Sequence, residues 1–83
     1  MKFNSETLEK ILNEDSIRYL FLVSLISSDT NITKEDCKEN LEILNYINDN
    51  INSFNLNEST IKEVKKYVKK GIKILNNDLI DMK

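Results

Sequence analysis

The sequence predicts an all-α protein, a compact antiparallel bundle of four helices. Three observations predict it: a helix-start pattern that recurs four times, helical spacing of apolar residues in the two longest segments, and no comparable strand signal. The recurring pattern is an apolar residue, an Asn or Thr, three mostly polar residues, then a second apolar residue. It occurs at Phe3-Asn4 with Leu8, Leu12-Asn13 with Ile17, Ile32-Thr33 with Cys37, and Leu56-Asn57 with Ile61. The Asn or Thr reads as an N-cap that satisfies a backbone N–H left over at the first turn, and the apolar pair as a hydrophobic staple. Each first turn also carries acid where the helix dipole favours it: Glu6, Glu14 and Asp15, Glu35 and Asp36, and Glu58. Two further matches are set aside. Ile51-Asn52 with Leu56 has no acid in its first turn, and Leu75-Asn76 with Ile80 lies inside a continuing apolar stripe.

The first helix is expected at about 5–12, with Leu8, Ile11 and Leu12 inward. Asn13 either caps a second helix or marks a bend in one longer helix. The second helix, about 14–28, carries Ile17, Tyr19, Leu20, Phe21, Leu22, Val23, Leu25 and Ile26. Apolar on nearly every side, it reads as the central, most buried helix. Tyr19 to Val23 has β propensity, but no second strand is available for it to pair with. Ser27 to Asn31 reads as a loop. Thr33-Lys34-Glu35-Asp36 then opens a third helix, about 34–52, as a near-capping box. Its stripe of Cys37, Leu41, Leu44, Ile47 and Ile51 steps by 4, 3, 3 and 4. The fourth helix, about 58–81 and roughly 36 Å long, carries Ile61, Val64, Val68, Ile72, Leu75, Leu79 and Met82. Gly71 lies beside that stripe, either admitting another helix closely or acting as a local weak point.

The 83 residues make one domain, 1–83, with 40% hydrophobic residues. A chain of this size buries only roughly 60–65% of its unfolded surface, so its core is thin. The longest apolar run, Ile17 to Ile26, is interrupted by Arg18 and Ser24 and is far short of the ~20 residues a membrane helix needs. The first residues lack the build of a signal peptide. One cysteine permits no internal disulfide, so the expected location is cytoplasmic. Asn31-Ile32-Thr33 and Asn57-Glu58-Ser59 match the glycosylation triplet only because Asn is abundant. Eleven Lys against one Arg, with eleven Ile, twelve Asn and no Ala or Pro, is the vocabulary of an AT-rich genome, such as a low-GC bacterium, its phages or its plasmids.

Catalysis has little to work with, and the chain is not expected to be an enzyme. There is no His, and Cys37, the only thiol, reads as a small apolar residue in a staple. A single Gly excludes a glycine-rich phosphate loop, and no cofactor is implied. Asp29 to Glu35 resembles the start of a calcium loop, but Lys34 stands where Gly is needed and Asn40 where the bidentate Glu is needed. No metal site is expected.

Charge is the strongest functional signal. Residues 1–60 hold five basic and eleven acidic residues, net −6, while residues 61–83 hold seven and three, net +4. Six lysines, Lys62, Lys65, Lys66, Lys69, Lys70 and Lys73, fall on the side of helix four away from its apolar stripe. Glu35, Asp36, Glu39 and Glu42 make helix three acidic. A helix-turn-helix reading of 17–52 fails because this acidic helix would repel phosphates. The expectation is a small non-enzymatic protein that binds a partner protein and occludes it, most concretely an inhibitor or antagonist from a phage or mobile element, for example of a bacterial defence system. The contacts would be the six lysines, with Glu35, Glu39 and Glu42 as a second surface. An immunity-type protein against a toxin or bacteriocin is an alternative, as is a nucleic-acid-associated regulator using the lysines, although a net charge of −2 and one Arg weigh against phosphate recognition. The stripe on helix four and the apolar surplus on helix two are compatible with a homodimer or with a monomer that buries both.

Overall fold

A computed structural model describes residues 4–26 and 33–81. Among these the chain forms α1 (Ser5–Asn13), α2 (Asp15–Ile26), α3 (Lys34–Asn50), a 3-10 turn (Ile51–Ser53) and α4 (Glu58–Asp81), with no strand. The expected all-α bundle of four helices is therefore the fold. Its longest dimension, 39 Å, is set by the 24 residues of α4.

Three helix starts are capped as expected. The backbone N–H of Thr7 donates to Asn4 Oδ1 at 2.8 Å, that of Asp36 to Thr33 Oγ1 at 3.1 Å, and that of Thr60 to Asn57 Oδ1 at 2.8 Å. The staple residues Phe3 and Ile32, the loop at Ser27 to Asn31 and Met82 lie outside the described residues.

The fourth start differs. Asn13 is the last residue of α1, and Glu14, extended at φ −93° and ψ 106°, separates two distinct helices. The Glu14 carbonyl accepts the first bonds of α2, from Ile17 N–H at 3.1 Å and Arg18 N–H at 2.7 Å. Leu8 and Leu12 are both fully buried, which carries helical geometry through Asn13 and moves the break one residue on. Asn13 Nδ2 donates instead to the Glu9 carbonyl at 3.0 Å and to the Asn55 carbonyl at 3.2 Å. The Glu9 carboxylate accepts from the Asn55 N–H. Both backbone groups of Asn55, in the connection before α4, are thus held by side chains of α1. Ile17, expected in a staple with Leu12, is half exposed. Helix three ends at Asn50, two residues short of expectation, because the chain tightens into the 3-10 turn that buries Ile51 and brings Phe54 inward.

The expected central role of α2 is also corrected. The antiparallel pair α3 and α4 forms the middle of the bundle, supplying Cys37, Leu41, Ile43, Leu44 and Ile47 on one side and Val64, Val68 and Leu75 on the other. A helix lying across such a pair has only one side to bury. In α2 that side is Arg18, Leu22 and Leu25, while Tyr19 is 52% and Leu20 66% exposed. Tyr19 meets Tyr67 of α4 edge-to-face, with ring centroids 6.0 Å apart.

Gly71 sits where α2, α3 and α4 converge. A Cβ there would lie 2.6 Å from Ile26 Cγ1 and 3.0 Å from Leu44 Cδ1. The glycine therefore permits close approach, which settles the choice left by its mid-helix position. Alanine gains about 1 kcal/mol in helix propensity, yet the overpacking it forces costs roughly 1–3 kcal/mol. Gly71→Ala should be neutral to destabilising, and Gly71→Val clearly destabilising, by about 2 kcal/mol or more. Urea denaturation of the two variants checks the order. Stabilisation by Ala would show that the three helices separate easily at this point.

Candidate functional site

The lysines of α4 form one ridge. Positions 62, 65, 66, 69, 70 and 73 recur at i, i+3 and i+4, which places them on adjacent turns along roughly 16 Å of helix. The opposite side of the same helix is buried through Val64, Val68, Gly71 and Leu75. Lys62, Lys66, Lys69, Lys70 and Lys73 are exposed and Lys65 is half-buried. Among the described residues the ion pairs are Lys10 with Glu6, Arg18 with Asp15 and Arg18 with Glu63, none of which engages the ridge.

The sequence explains why the ridge keeps its charge. Glu63 is the one acid between residues 59 and 77, and its Oε2 accepts from Arg18 Nη2 of α2 at 3.2 Å. Arg18, the only arginine, is buried within the apolar run of α2. Its Nη1 donates to the Leu12 carbonyl at 3.0 Å and to Asp15 Oδ1 at 2.8 Å, while Nε is buried without a partner. One guanidinium thereby ties the end of α1, the start of α2 and the second turn of α4. Its planar fork of donors suits this task in a way that a lysine would not.

The acidic residues lie elsewhere. On α3, Glu35 and Glu42 are exposed and Glu39 half-buried, on the side away from Cys37, Leu44 and Ile47. Glu39 and Glu42 each have an interaction partner. The structure does not bring the acidic face and the lysine ridge together: each occupies the solvent side of its own helix.

Cys37 is fully buried, and its Sγ–H donates to the Leu75 carbonyl across the α3–α4 contact at 3.5 Å. Burial pushes its thiol pKa up, and the nearby Asp78 carboxylate pushes it further in the same direction. Both effects disfavour the reactive thiolate, in keeping with a packing role. No group of three His, Cys, Asp or Glu among the described residues is placed to hold a metal ion, and none of their helices is long and apolar enough to cross a membrane.

The apolar surplus that the sequence shows on helix two becomes a third surface in the structure. The outer side of α2 presents Ile17, Tyr19, Leu20 and Val23 with Ser16 and Ser24. A groove of about 210 Å³ runs between α2 and α4, lined by Tyr19, Val23, Ile26, Tyr67 and Lys70. The signal was the surplus itself: a helix with eight apolar residues in twelve cannot bury them all in a bundle this thin. No known protein family matches the chain, and no curated protein or solved structure matches it.

Two outcomes follow from this geometry. Arg18→Ala leaves the Leu12 carbonyl without its donor and should destabilise the fold by about 2 kcal/mol. Glu63→Gln should cost less than about 1 kcal/mol, because Glu63 is 41% exposed and water replaces much of what is lost. Chemical denaturation should reproduce that order, and equal costs would contradict the placement of Arg18. In the folded protein Cys37 should react with a thiol reagent at pH 8 at least a hundredfold more slowly than in the unfolded chain. Rapid labelling under native conditions would show that α3 and α4 part readily.

Proposed function

We propose that this chain is a small non-enzymatic binding protein that docks the lysine ridge of α4 onto an acidic surface of a partner protein and occludes it. One observation carries the reading. The ridge contains four Lys–Lys pairs at i, i+4 spacing, each destabilising an isolated helix by roughly 0.2–0.5 kcal/mol, and Glu63, the single acid between Lys62 and Lys73, is held by Arg18. A side that served only solubility would interleave Glu with Lys and avoid this cost. Association with an acidic partner offsets it and steers the encounter electrostatically.

The most concrete version is an antagonist from a phage or mobile element, acting on a protein such as a component of a bacterial defence system. The AT-rich vocabulary and the short chain support that origin. The lack of His in the sequence and the burial of Cys37, which pushes its thiol pKa up, support a non-catalytic mode of action. Neutralisation of a toxin or bacteriocin would use the same ridge against an acidic toxin surface. Glu35, with Glu39 and Glu42, remains the second surface such a protein would offer a basic groove.

The test is affinity capture from host lysate at low and at physiological salt, paired with the variant carrying Lys62→Glu, Lys66→Glu, Lys69→Glu and Lys73→Glu. All four positions are exposed, so the fold should survive. A specific protein should be recovered by the wild type and at least tenfold less by the variant. Recovery of nucleic acid, with affinity that falls steeply with salt, would favour the regulator reading instead. Identical captures by both chains, or none at either salt, would overturn the proposal.

A further inference from the structure

We propose that the outer face of α2 is a self-association surface: it packs against the same face of a second copy, with the two α2 helices antiparallel about a two-fold axis near Leu20. This inference shares only Lys70 with the lysine-ridge reading, because Lys62, Lys66, Lys69 and Lys73 do not line the groove beside this face.

After Asp15 the only charged residue of α2 is Arg18, which is buried, so the exposed side of residues 16–26 carries no charge over roughly 16 Å. Ile17, Tyr19 and Leu20 are each about half exposed or more, and Val23 extends the stripe to the groove against Tyr67. Isolated apolar residues on a surface need no explanation, whereas a contiguous uncharged stripe with charged margins has the anatomy of an interface.

The charges at its two ends choose the occupant. At the amino-terminal end stand Glu14 and Asp15, both exposed, the side chain of Asp15 to 90%. Beside the carboxy-terminal end stands Lys70, which lines the groove with Val23 and Ile26. A face that is acidic at one end, apolar in the middle and basic at the other is complementary to itself in the antiparallel sense. A two-fold axis near Leu20 brings Asp15 of each copy toward Lys70 of the other and sets opposite ends of the helix dipoles side by side. The parallel arrangement would stack Asp15 on Asp15. A near-balanced net charge of −2 leaves little long-range repulsion between copies.

Sedimentation of the full chain over a range of concentrations tests the proposal. The expected mass is twice the 9.7 kDa of one chain. Leu20→Lys, at a position already 66% exposed, should keep the helical circular dichroism signal while weakening association at least tenfold. Orientation is read by oxidative cross-linking, in which the buried Cys37 need not be replaced. Leu20→Cys should give a disulfide-linked dimer, and Ser16→Cys, displaced from the axis, should not. A monomer at every concentration, an unchanged mass for folded Leu20→Lys, or cross-linking through Ser16→Cys but not Leu20→Cys would each overturn it.

Discussion

Much of the structure turns on the placement of one buried cation. Arg18 enters the bundle from α2 and reaches the Leu12 carbonyl, the Asp15 carboxylate and the Glu63 carboxylate. Burying a guanidinium is costly unless its donors are met, and three helices supply partners for its two terminal nitrogens, Nε alone being left without one. That requirement orients α2: with Arg18 pointing inward, Leu22 and Leu25 follow at i+4 and i+7, and Ile17 and Leu20 must point outward. It also acts on α4, where it draws in the one acid that stands among the lysines. The exposed apolar face and the unneutralised ridge are two results of the same interaction.

The sequence showed the helices because local chemistry determines where they begin. Asn4, Thr33 and Asn57 cap their helices with their own side chains, and the information needed for that lies within four residues. Asn13 has the same local pattern and does something else, because its partner, the Asn55 carbonyl, is 42 positions away. The burial of α2 was misjudged for a related reason. Apolar content measures what a helix could bury, whereas its position in the bundle decides what it does bury. The six apolar residues that α2 leaves exposed or half-buried, Ile17, Tyr19, Leu20, Phe21, Val23 and Ile26, are as apolar as the Leu22 and Leu25 that it buries.

The charged surfaces were more legible than the apolar one. Lysines at i, i+3 and i+4 on a helix with a clear apolar stripe must lie opposite that stripe, and the ridge is where the spacing put it. That no ion pair among the described residues engages the ridge depended on Glu63 bonding to Arg18, a contact between residues 45 positions apart. Arg18 itself was visible only as an interruption in an apolar run. A single charged residue flanked on both sides by large apolar residues, in a chain that uses lysine everywhere else, was the available sign that this position is buried and paired.

The clamp on Asn55 has a consequence for how the molecule opens. The connection between α3 and α4 does not satisfy its own backbone at this residue; Glu9 accepts its N–H and Asn13 donates to its carbonyl. If α1 lifts away, Asn55 loses both partners at once, and the turn that pairs the two central helices loosens with it. Fraying of the first helix and opening of the last connection, though far apart in sequence, are therefore one cooperative event.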